Sequence, residues 1–394
     1  MRKKIFKNIE WGILTCTILL IIIGMVALYS ATQSTEFEEL KKQIMWLAIS
    51  VPIMIAVILI DYELIAKVSP IFYGIFMILL VGVLFTNPVN GATSWFNIGP
   101  FSFQPSEFAK VFVILLFSYT ITKVQENGRG RDEISRPTRL ILCSLVIIAP
   151  VLLIIKQPDY GTAAAFLLAT VLILFVAGIK KRYIITAILL VIIAVPLLYF
   201  FVLPEHAKTR IDVFLNPNLD PRGSGYNVIQ SKLAIGAGQL FGMGLLKGNQ
   251  TQLGFLYPKT TDFIFSVIGE EMGFIATAGI VFLYVILITK SIYVAKTAKD
   301  DLGSYIAAGI AGIFLFHMLE NIGMTIGLLP ITGVPLPFVS YGGSSLLTNL
   351  IMIAILLNIS GRRQKTIFVE WERKTVARSF CRRLSEGLDG DVYL

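Results

Sequence analysis

Ten long apolar runs recur along the 394-residue chain, and they restrict the fold more than any other feature of the sequence. A membrane-spanning helix needs about 20 mostly apolar residues, because lipid offers no hydrogen-bond partner to an open backbone. Charged residues make up only 15% of the chain. The sequence therefore predicts an all-α, polytopic integral membrane protein with about ten transmembrane helices. The runs are residues 11–31, 44–60, 66–85, 106–122, 139–156, 161–179, 183–203, 266–290, 304–328 and 342–360.

Lys and Arg residues are distributed unevenly between the segments that connect these runs. With the N-terminus inside, 24 of the 34 lie in inner segments and 8 in outer ones. Because positive charge favours the cytoplasmic side, we expect a multi-pass protein of the cytoplasmic (inner) membrane with both termini in the cytoplasm. The net charge of +9 then indicates anionic lipid, not nucleic acid, as a partner. Cys16, Cys143 and Cys381 predict neither a disulfide framework nor a metal cluster.

One connecting segment is much longer than the others. Residues 204–265 are polar and rich in Gly, and they form an extracytoplasmic loop between predicted helices 7 and 8. A loop of this length is usually functional or disordered. The spacing of Val228, Ile229 and Leu233 predicts a short amphipathic helix at the membrane surface. We expect residues 1–365 to form one membrane domain and residues 366–394 a cytoplasmic C-terminal tail.

Charged residues beside apolar runs are candidates for function, because they are costly in lipid. Asp262 ends the long loop, immediately before an apolar run. Its carboxylate could cap the next helix, or it could serve as a partly desolvated general base at the water–lipid boundary. Glu107 and Lys110 share a helix face at i, i+3. They could form a structural ion pair, or Lys110 could face a phosphate.

Other polar residues allow similar alternatives. Asp159, in a turn between two runs, could simply cap the following helix, and Glu271 suits the first turns of its helix. His317 and Asn321 share one helix face, which favours hydrogen bonds between helices over a zinc site. The long loop also carries cations that could bind a pyrophosphate group while Asp262 does acid–base work. These are Arg210, Arg222, Lys232 and Lys247.

Four blocks of motifs resemble the SEDS family (shape, elongation, division and sporulation), which includes RodA, FtsW and SpoVE, and the RodA branch most of all. They span roughly residues 10–365, and the fourth block is the most specific. The blocks are Gly91-Ala-Thr-Ser-Trp95 with Gln104-Pro-Ser-Glu107-Phe-Ala-Lys110; Gln157-Pro-Asp159-Tyr-Gly161-Thr162; Phe214-Leu-Asn-Pro217 through Gln230-Ser to Thr261-Asp262-Phe-Ile-Phe265; and Asn321-Ile-Gly-Met324 through Pro335-Leu-Pro-Phe338 to Ser340-Tyr-Gly-Gly-Ser-Ser345.

The resemblance implies a peptidoglycan glycosyltransferase that polymerises lipid II for cell-wall elongation and cell shape, working with a class B penicillin-binding protein. The family's essential aspartate matches Asp262, which implies a catalytic role. The reaction would form a β-1,4 bond with inversion and release undecaprenyl pyrophosphate. A divalent cation, Mg or Mn, could assist, although no motif for one is present. Residues expected to contact the substrate or the growing glycan strand are Glu107, Lys110, Asp159, Arg210, Gln230, Glu271 and Ser340.

The chain departs from the family pattern at two positions. Ser94 stands where the family often has Arg, and Pro258 replaces a frequent Glu before the Thr-Asp pair. Any phosphate contact or second carboxylate from those positions must come from elsewhere. Two alternatives to the enzyme stay open, namely a lipid II flippase and a non-catalytic scaffold for the penicillin-binding protein. The scaffold would bind partner helices through small residues such as Gly309, Ala311, Gly312 and Gly323.

Overall fold

The computed structural model describes residues 8–87, 93–98, 101–128, 130–201, 205–221 and 223–363. The predicted tail 366–394, with Cys381, and Arg222 of the outer loop lie outside these described residues. Within them the α-helices are α1 (Trp11–Ala31), α2 (Glu38–Leu59), α3 (Tyr62–Gly82), α4 (Pro105–Glu126), α5 (Pro137–Lys156), α6 (Tyr160–Val176), α7 (Lys181–Phe201), α8 (Glu205–Leu215), α9 (Ser224–Ala237), α10 (Asn249–Gln252), α11 (Ile264–Thr297), α12 (Asp301–Ile326) and α13 (Gly343–Arg362).

Short elements complete the described secondary structure. Strands β1 (Phe96–Ile98) and β2 (Phe101–Phe103) form an antiparallel hairpin in which Phe96 pairs with Phe103. The 3₁₀ helices are Gln33–Thr35, Val83–Phe85, Arg131–Ser135 and Pro217–Leu219.

Every predicted apolar run coincides with one of these helices. In the part of the chain that the structure describes, seven helices are long and apolar enough to cross a membrane, namely α1, α2, α3 (with its 3₁₀ extension), α5, α11, α12 and α13. This confirms the prediction of an all-α polytopic membrane protein. The remaining runs correspond to α4, α6 and α7, so the total of ten crossings stays a prediction. The predicted amphipathic helix of the outer loop corresponds to α9.

Helices α12 and α13 form the centre of the bundle. In their most apolar windows 72% and 89% of residues are buried, against 17% for α3. Small residues permit this packing: a methyl group added to Gly312 of α12 would lie 2.8 Å from Ala169 Cα of α6. A methyl on Gly309 would lie 2.8 Å from Ile173. The four small residues considered for partner binding are therefore buried inside the chain's own bundle, which removes that argument for a scaffold.

Helix α11 is broken near its N-terminal end. Gly273 has φ 78° and ψ −173°, so the run predicted as one continuous helix is two helices joined at a kink. The break frees backbone groups that must be satisfied inside a membrane. Residues 239–244 of the outer region supply the partners, because Met243 N donates to Glu270 O (2.9 Å) and Phe274 N donates to Gln239 O (2.8 Å).

Residues 327–342, between α12 and α13, form a re-entrant loop that inserts into the bundle. Its Pro335 carbonyl lies 3.1 Å from Nδ1 of His317, which is nine residues before the end of α12 and so about 14 Å below it. A methyl on Gly24 of α1 would lie 2.7 Å from Val339 Cα. Irregular backbone at this depth is tolerated only where protein surrounds it. The Gln43 side chain helps to satisfy it, donating to Ser340 O and accepting from Gly342 N.

Candidate active site

Asp262 lies near the end of the predicted outer loop (residues 204–265), immediately before α11, and it faces the re-entrant loop. It does not cap α11, because the N-cap position is Phe263 and no side-chain hydrogen bond caps the helix. The helix-cap interpretation of Asp262 is therefore wrong. The Asp262 carboxylate lies next to Gly333 of the re-entrant loop, and a methyl group added to Gly333 would lie 3.6 Å from Asp262 Oδ2. A carboxylate that is not used as a cap can take part in chemistry.

The surroundings of Asp262 favour proton transfer near neutral pH. Burial raises the pKa of its carboxyl group from 3.8 to about 6, although a hydrogen bond from Thr261 and the charge of Arg210 act in the opposite direction. A general base is most effective when its pKa lies near the working pH. Asp262 is partly exposed, so a substrate hydroxyl can reach it.

Three consecutive carbonyl groups fix the backbone of segment 260–262. Each accepts a hydrogen bond from the re-entrant loop or from α12. The donors are Tyr341 N (2.9 Å), Ser340 Oγ (2.6 Å) and Asn321 Nδ2 (3.0 Å). Ser340 Oγ also accepts from Leu336 N (2.8 Å), so this predicted substrate contact is occupied in holding two segments of the protein together. The base candidate is thus carried on a rigid backbone.

Glu107 and Lys110 form the predicted ion pair, with Lys110 Nζ 2.8 Å from Glu107 Oε1. Lys110 Nζ also lies 3.1 Å from His317 Nε2. Because an ammonium only donates, Nε2 accepts, and Nδ1 then carries the proton donated to Pro335 O at 3.1 Å. Glu107 Oε2 accepts from Thr348 Oγ1 (3.3 Å). This buried network joins α4, α12, α13 and the re-entrant loop, and Lys110 has no exposed surface for a phosphate.

Asp159 has the predicted capping role. Its Oδ1 accepts from Thr162 N (3.1 Å) at the start of α6, while Oδ2 accepts from Gln104 Nε2 (3.2 Å) just before α4. Burial raises the pKa of Asp159. Asp159 therefore ties the first two motif blocks together. Nearby, buried Ser94 donates to Gln157 O at 3.4 Å.

Glu271 and its neighbour Glu270 hold the outer region. Glu271 Oε1 accepts from Gln252 Nε2 at 2.8 Å. Glu270 accepts from the backbone N and the hydroxyl of Thr251, at 2.9 and 2.7 Å. Both carboxylates are buried and engaged with α10, so they do not reach the space over Asp262 in this arrangement. Gln230 is partly exposed on α9.

The cations closest to the site line a narrow cleft between α8, α9 and the start of the re-entrant loop. Arg210 and Lys232 both line it, with Ser224, Gly327 and Pro330. Neither cation forms a salt bridge with any residue that the structure describes. A methyl on Gly327 would lie 2.3 Å from Lys232 Nζ, so the ammonium rests against the end of α12. The charge of Arg210 lowers the pKa of the Asp262 carboxyl group, so this cleft could offer positive charge to an anionic group near the site.

The described ranges contain no cluster of metal-binding side chains. No group of three or more His, Cys, Asp or Glu side chains there is arranged to hold an ion. The divalent cation expected from the resemblance stays a prediction.

Two contacts of this site were not foreseen from the sequence. The pattern at His317 and Asn321 indicated bonding between helices, but it did not name Asp262 or the re-entrant loop as the partners. Gln43 of α2 bonds to the backbone of residues 340 and 342. The sequence did not predict this contact, because an isolated Gln at the edge of an apolar run has many possible partners.

Comparisons with known proteins decide the family. A family model described as "Cell cycle protein", FtsW/RodA/SpoVE, matches residues 10–365. The chain belongs to the FtsW/RodA/SpoVE family. The predicted resemblance is thus confirmed over residues 10–365. The re-entrant loop lies in the fourth and most specific motif block, and Glu107 and Lys110 lie in the first.

Individual relatives agree over most of the chain. It is 36% identical over 355 residues to the peptidoglycan glycosyltransferase MrdB of Escherichia coli K12, covering 88% of this chain and 94% of MrdB. It is 30% identical to the peptidoglycan glycosyltransferase RodA of Treponema pallidum, covering 92% and 100%. A structure described as a peptidoglycan synthase complex that coordinates polymerization and crosslinking matches with a TM-score of 0.77, at 28% identity, covering 91% and 99%. Thermus thermophilus RodA matches with a TM-score of 0.67, at 26% identity, covering 91% and 98%.

Proposed function

We propose that this protein is a peptidoglycan glycosyltransferase that polymerises lipid II into glycan strands. Relatives aligned over nearly their whole length carry that activity in their names. The observation in the structure that carries the proposal is Asp262, a carboxylate with a raised pKa on a backbone fixed by three hydrogen bonds. The outer region and the re-entrant loop enclose it, so one polar site combines the strongest motifs.

In the proposed reaction Asp262 is the general base. The 4-hydroxyl of the acceptor sugar attacks the anomeric carbon of the donor, and its proton passes to the Asp262 carboxylate. A new carbon–oxygen bond forms on one face as the bond to the diphosphate breaks on the other, which inverts the α-linked donor to a β-1,4 linkage. A positioned base contributes a factor of about 10²–10⁴ to such a step.

The leaving undecaprenyl pyrophosphate needs positive charge near it. We assign that role to Arg210 and Lys232, because both line one cleft and the charge of Arg210 acts on the carboxyl group of Asp262. Lys110, the stronger candidate from sequence, is enclosed inside the bundle by Glu107 and His317. We therefore propose that it stabilises the fold under the site and does not touch the diphosphate. A divalent cation, Mg or Mn, stays an expectation, and no step of the proposed reaction depends on it.

We further propose that the protein lies in the inner membrane with both termini in the cytoplasm and the site on the extracytoplasmic face. The distribution of Lys and Arg supports this orientation. A class B penicillin-binding protein is the proposed partner, since the matched synthase complex couples polymerization to crosslinking. Cell-wall elongation is the proposed context, because the matched Thermus thermophilus structure is that of the rod shape determining protein RodA.

The test is polymerisation of lipid II by purified protein in detergent, with and without a class B transpeptidase. We expect glycan strands from the wild type, either alone or with the partner. A folded protein that yields no polymer under either condition, but moves lipid II across liposomes, would replace the enzyme with the flippase.

A further inference from the structure

We infer that Asn321 is a positioning residue for catalysis, whose side-chain amide sets the place of Asp262 against the re-entrant loop. The inference rests on the proposed role of Asp262 as base. Asn321 Nδ2 lies 3.0 Å from the carbonyl oxygen of Asp262 and 2.9 Å from that of Val334. One amide group therefore joins the base candidate, α12 and the loop.

The orientation of this amide follows from its neighbours. Both facing groups are carbonyl oxygens, which only accept hydrogen bonds, so the nitrogen must face them and each of its two N–H groups can serve one. The Asn321 side chain is fully buried. Its Oδ1 is buried too and has no hydrogen-bond partner among the described residues. A buried polar atom without a partner is uncommon and costly, so the position of this amide is set by its two N–H bonds and not by its oxygen.

The two carbonyls are well placed to control the geometry of the site. Val334 follows Gly333, which lies directly under the Asp262 carboxylate. Asn321 therefore fixes the distance between the Asp262 carboxylate and Gly333 of the re-entrant loop. A general base must come within about 2.6–3.2 Å of the proton it removes. A misplacement of about 1 Å can cost a factor of about 100 in rate.

The chain contains a matched control for a purely structural role. Asn358 in α13 is also fully buried, and its Nδ2 donates to the carbonyls of Val57 (2.6 Å), Ile58 (3.3 Å) and Ile60. Its Oδ1 also accepts from Arg362, so it joins two segments by the same chemistry, near the end of α13 farthest from the re-entrant loop. Asn358→Ala therefore removes at least as many hydrogen bonds as Asn321→Ala, without touching the backbone of Asp262.

The experiment measures lipid II polymerisation by the purified protein with its class B transpeptidase. Wild type, Asn321→Ala, Asn358→Ala and Asp262→Asn are compared for kcat, KM and thermal midpoint. We expect Asn321→Ala to lower kcat by about 10- to 100-fold with KM within threefold. Asn358→Ala should lose a similar amount of thermal stability and keep kcat within threefold.

A second variant covers the case in which Asn321→Ala does not fold. Asn321→Asp keeps the shape of the side chain, and its carboxyl group, buried against two carbonyl oxygens, stays protonated because burial disfavours the charged form. The protonated carboxyl can donate one hydrogen bond, whereas the amide of Asn321 donates two. We therefore expect kcat of folded Asn321→Asp to fall between those of the wild type and Asp262→Asn, and kcat of Asn358→Asp to stay within threefold of the wild type, a difference that lost stability alone would not produce.

Two results would overturn the inference, and they are distinguishable from failure of the proposed function. Equal losses of kcat in Asn321→Ala and Asn358→Ala, with Asp262→Asn inactive, would make Asn321 structural only. A kcat of folded Asn321→Asp within threefold of the wild type would do the same. Full activity of Asp262→Asn would instead refute the base assignment on which the inference rests.

Discussion

Replacing Lys110 by Met tests whether this cation supports the fold or binds substrate. Lys110 and Glu107 are 0% and 1% exposed, and their charged atoms are 2.8 Å apart. Removal of one partner leaves an uncompensated buried charge, which typically costs about 3–5 kcal/mol. Lys110→Met and Glu107→Gln should each lose that much unfolding free energy. The double variant removes both charges, and it mainly leaves His317 Nε2 without its donor, a cost of about 1–3 kcal/mol.

The assay is reversible unfolding in mixed micelles, combined with lipid II polymerisation on the folded fraction. We expect the double variant to be more stable than either single variant and to keep its KM for lipid II within threefold of the wild type. Lys232→Met is the matched control, because it removes an exposed cation from the cleft. A Lys110→Met protein as stable as the wild type, but with a KM raised tenfold or more, would refute the structural role.

Three further predictions follow from the site and its supports. A base must be deprotonated, and burial raises the pKa of Asp262 to about 6, so the polymerisation rate should fall as pH drops through 6, to about a tenth of its plateau at pH 5. A rate–pH profile with its midpoint near pH 4 would contradict this. Lys232→Met should raise KM for lipid II with a stability change within about 0.5 kcal/mol, whereas an unchanged KM would remove Lys232 from the pyrophosphate site. Gly238→Ala should lower the free energy of unfolding by about 1–3 kcal/mol, because its methyl group would lie 1.8 Å from Gly269 O. Gly236→Ala is the control, since its methyl group would have no neighbour within 4 Å. Equal effects of the two variants in thermal unfolding would exclude a steric cause.

The membrane helices were predictable because their signal is local. The run 11–31 matches α1 at both ends, since a stretch of apolar residues in lipid has no alternative to a helix. The break at Gly273 was not predictable in the same way. Gly is common in membrane helices, and the backbone partners of the break come from residues 239–244.

The chemistry of the site was only partly accessible from sequence. Spacing placed Glu107 and Lys110 on one face, and the pair is present. The spacing could not show that His317, more than 200 residues away, would bond to the ammonium group of Lys110. The depth of the re-entrant loop was hidden for a similar reason, because its partners Gln43 and Tyr284 belong to distant helices. Long-range contacts depend on the packed bundle, and local patterns do not encode them.

The substrate contacts expected at Glu271 and Ser340 illustrate the same limit. Ser340 belongs to the fourth motif block and Glu271 lies six residues after the third, but the structure shows both bonded to other parts of the chain. A residue can hold a site together without touching the substrate. Arg210 and Lys232 are the cations that line the cleft between α8, α9 and the start of the re-entrant loop.

The most direct test of the central claim is steady-state polymerisation of lipid II by Asp262→Asn in complex with a class B transpeptidase. Asn has nearly the same shape but cannot accept the proton of the acceptor hydroxyl. If Asp262 is the general base, kcat should fall by about 10²–10⁴ while lipid II binding and the thermal midpoint stay close to those of the wild type. A variant that polymerises at the wild-type rate would contradict the proposed mechanism.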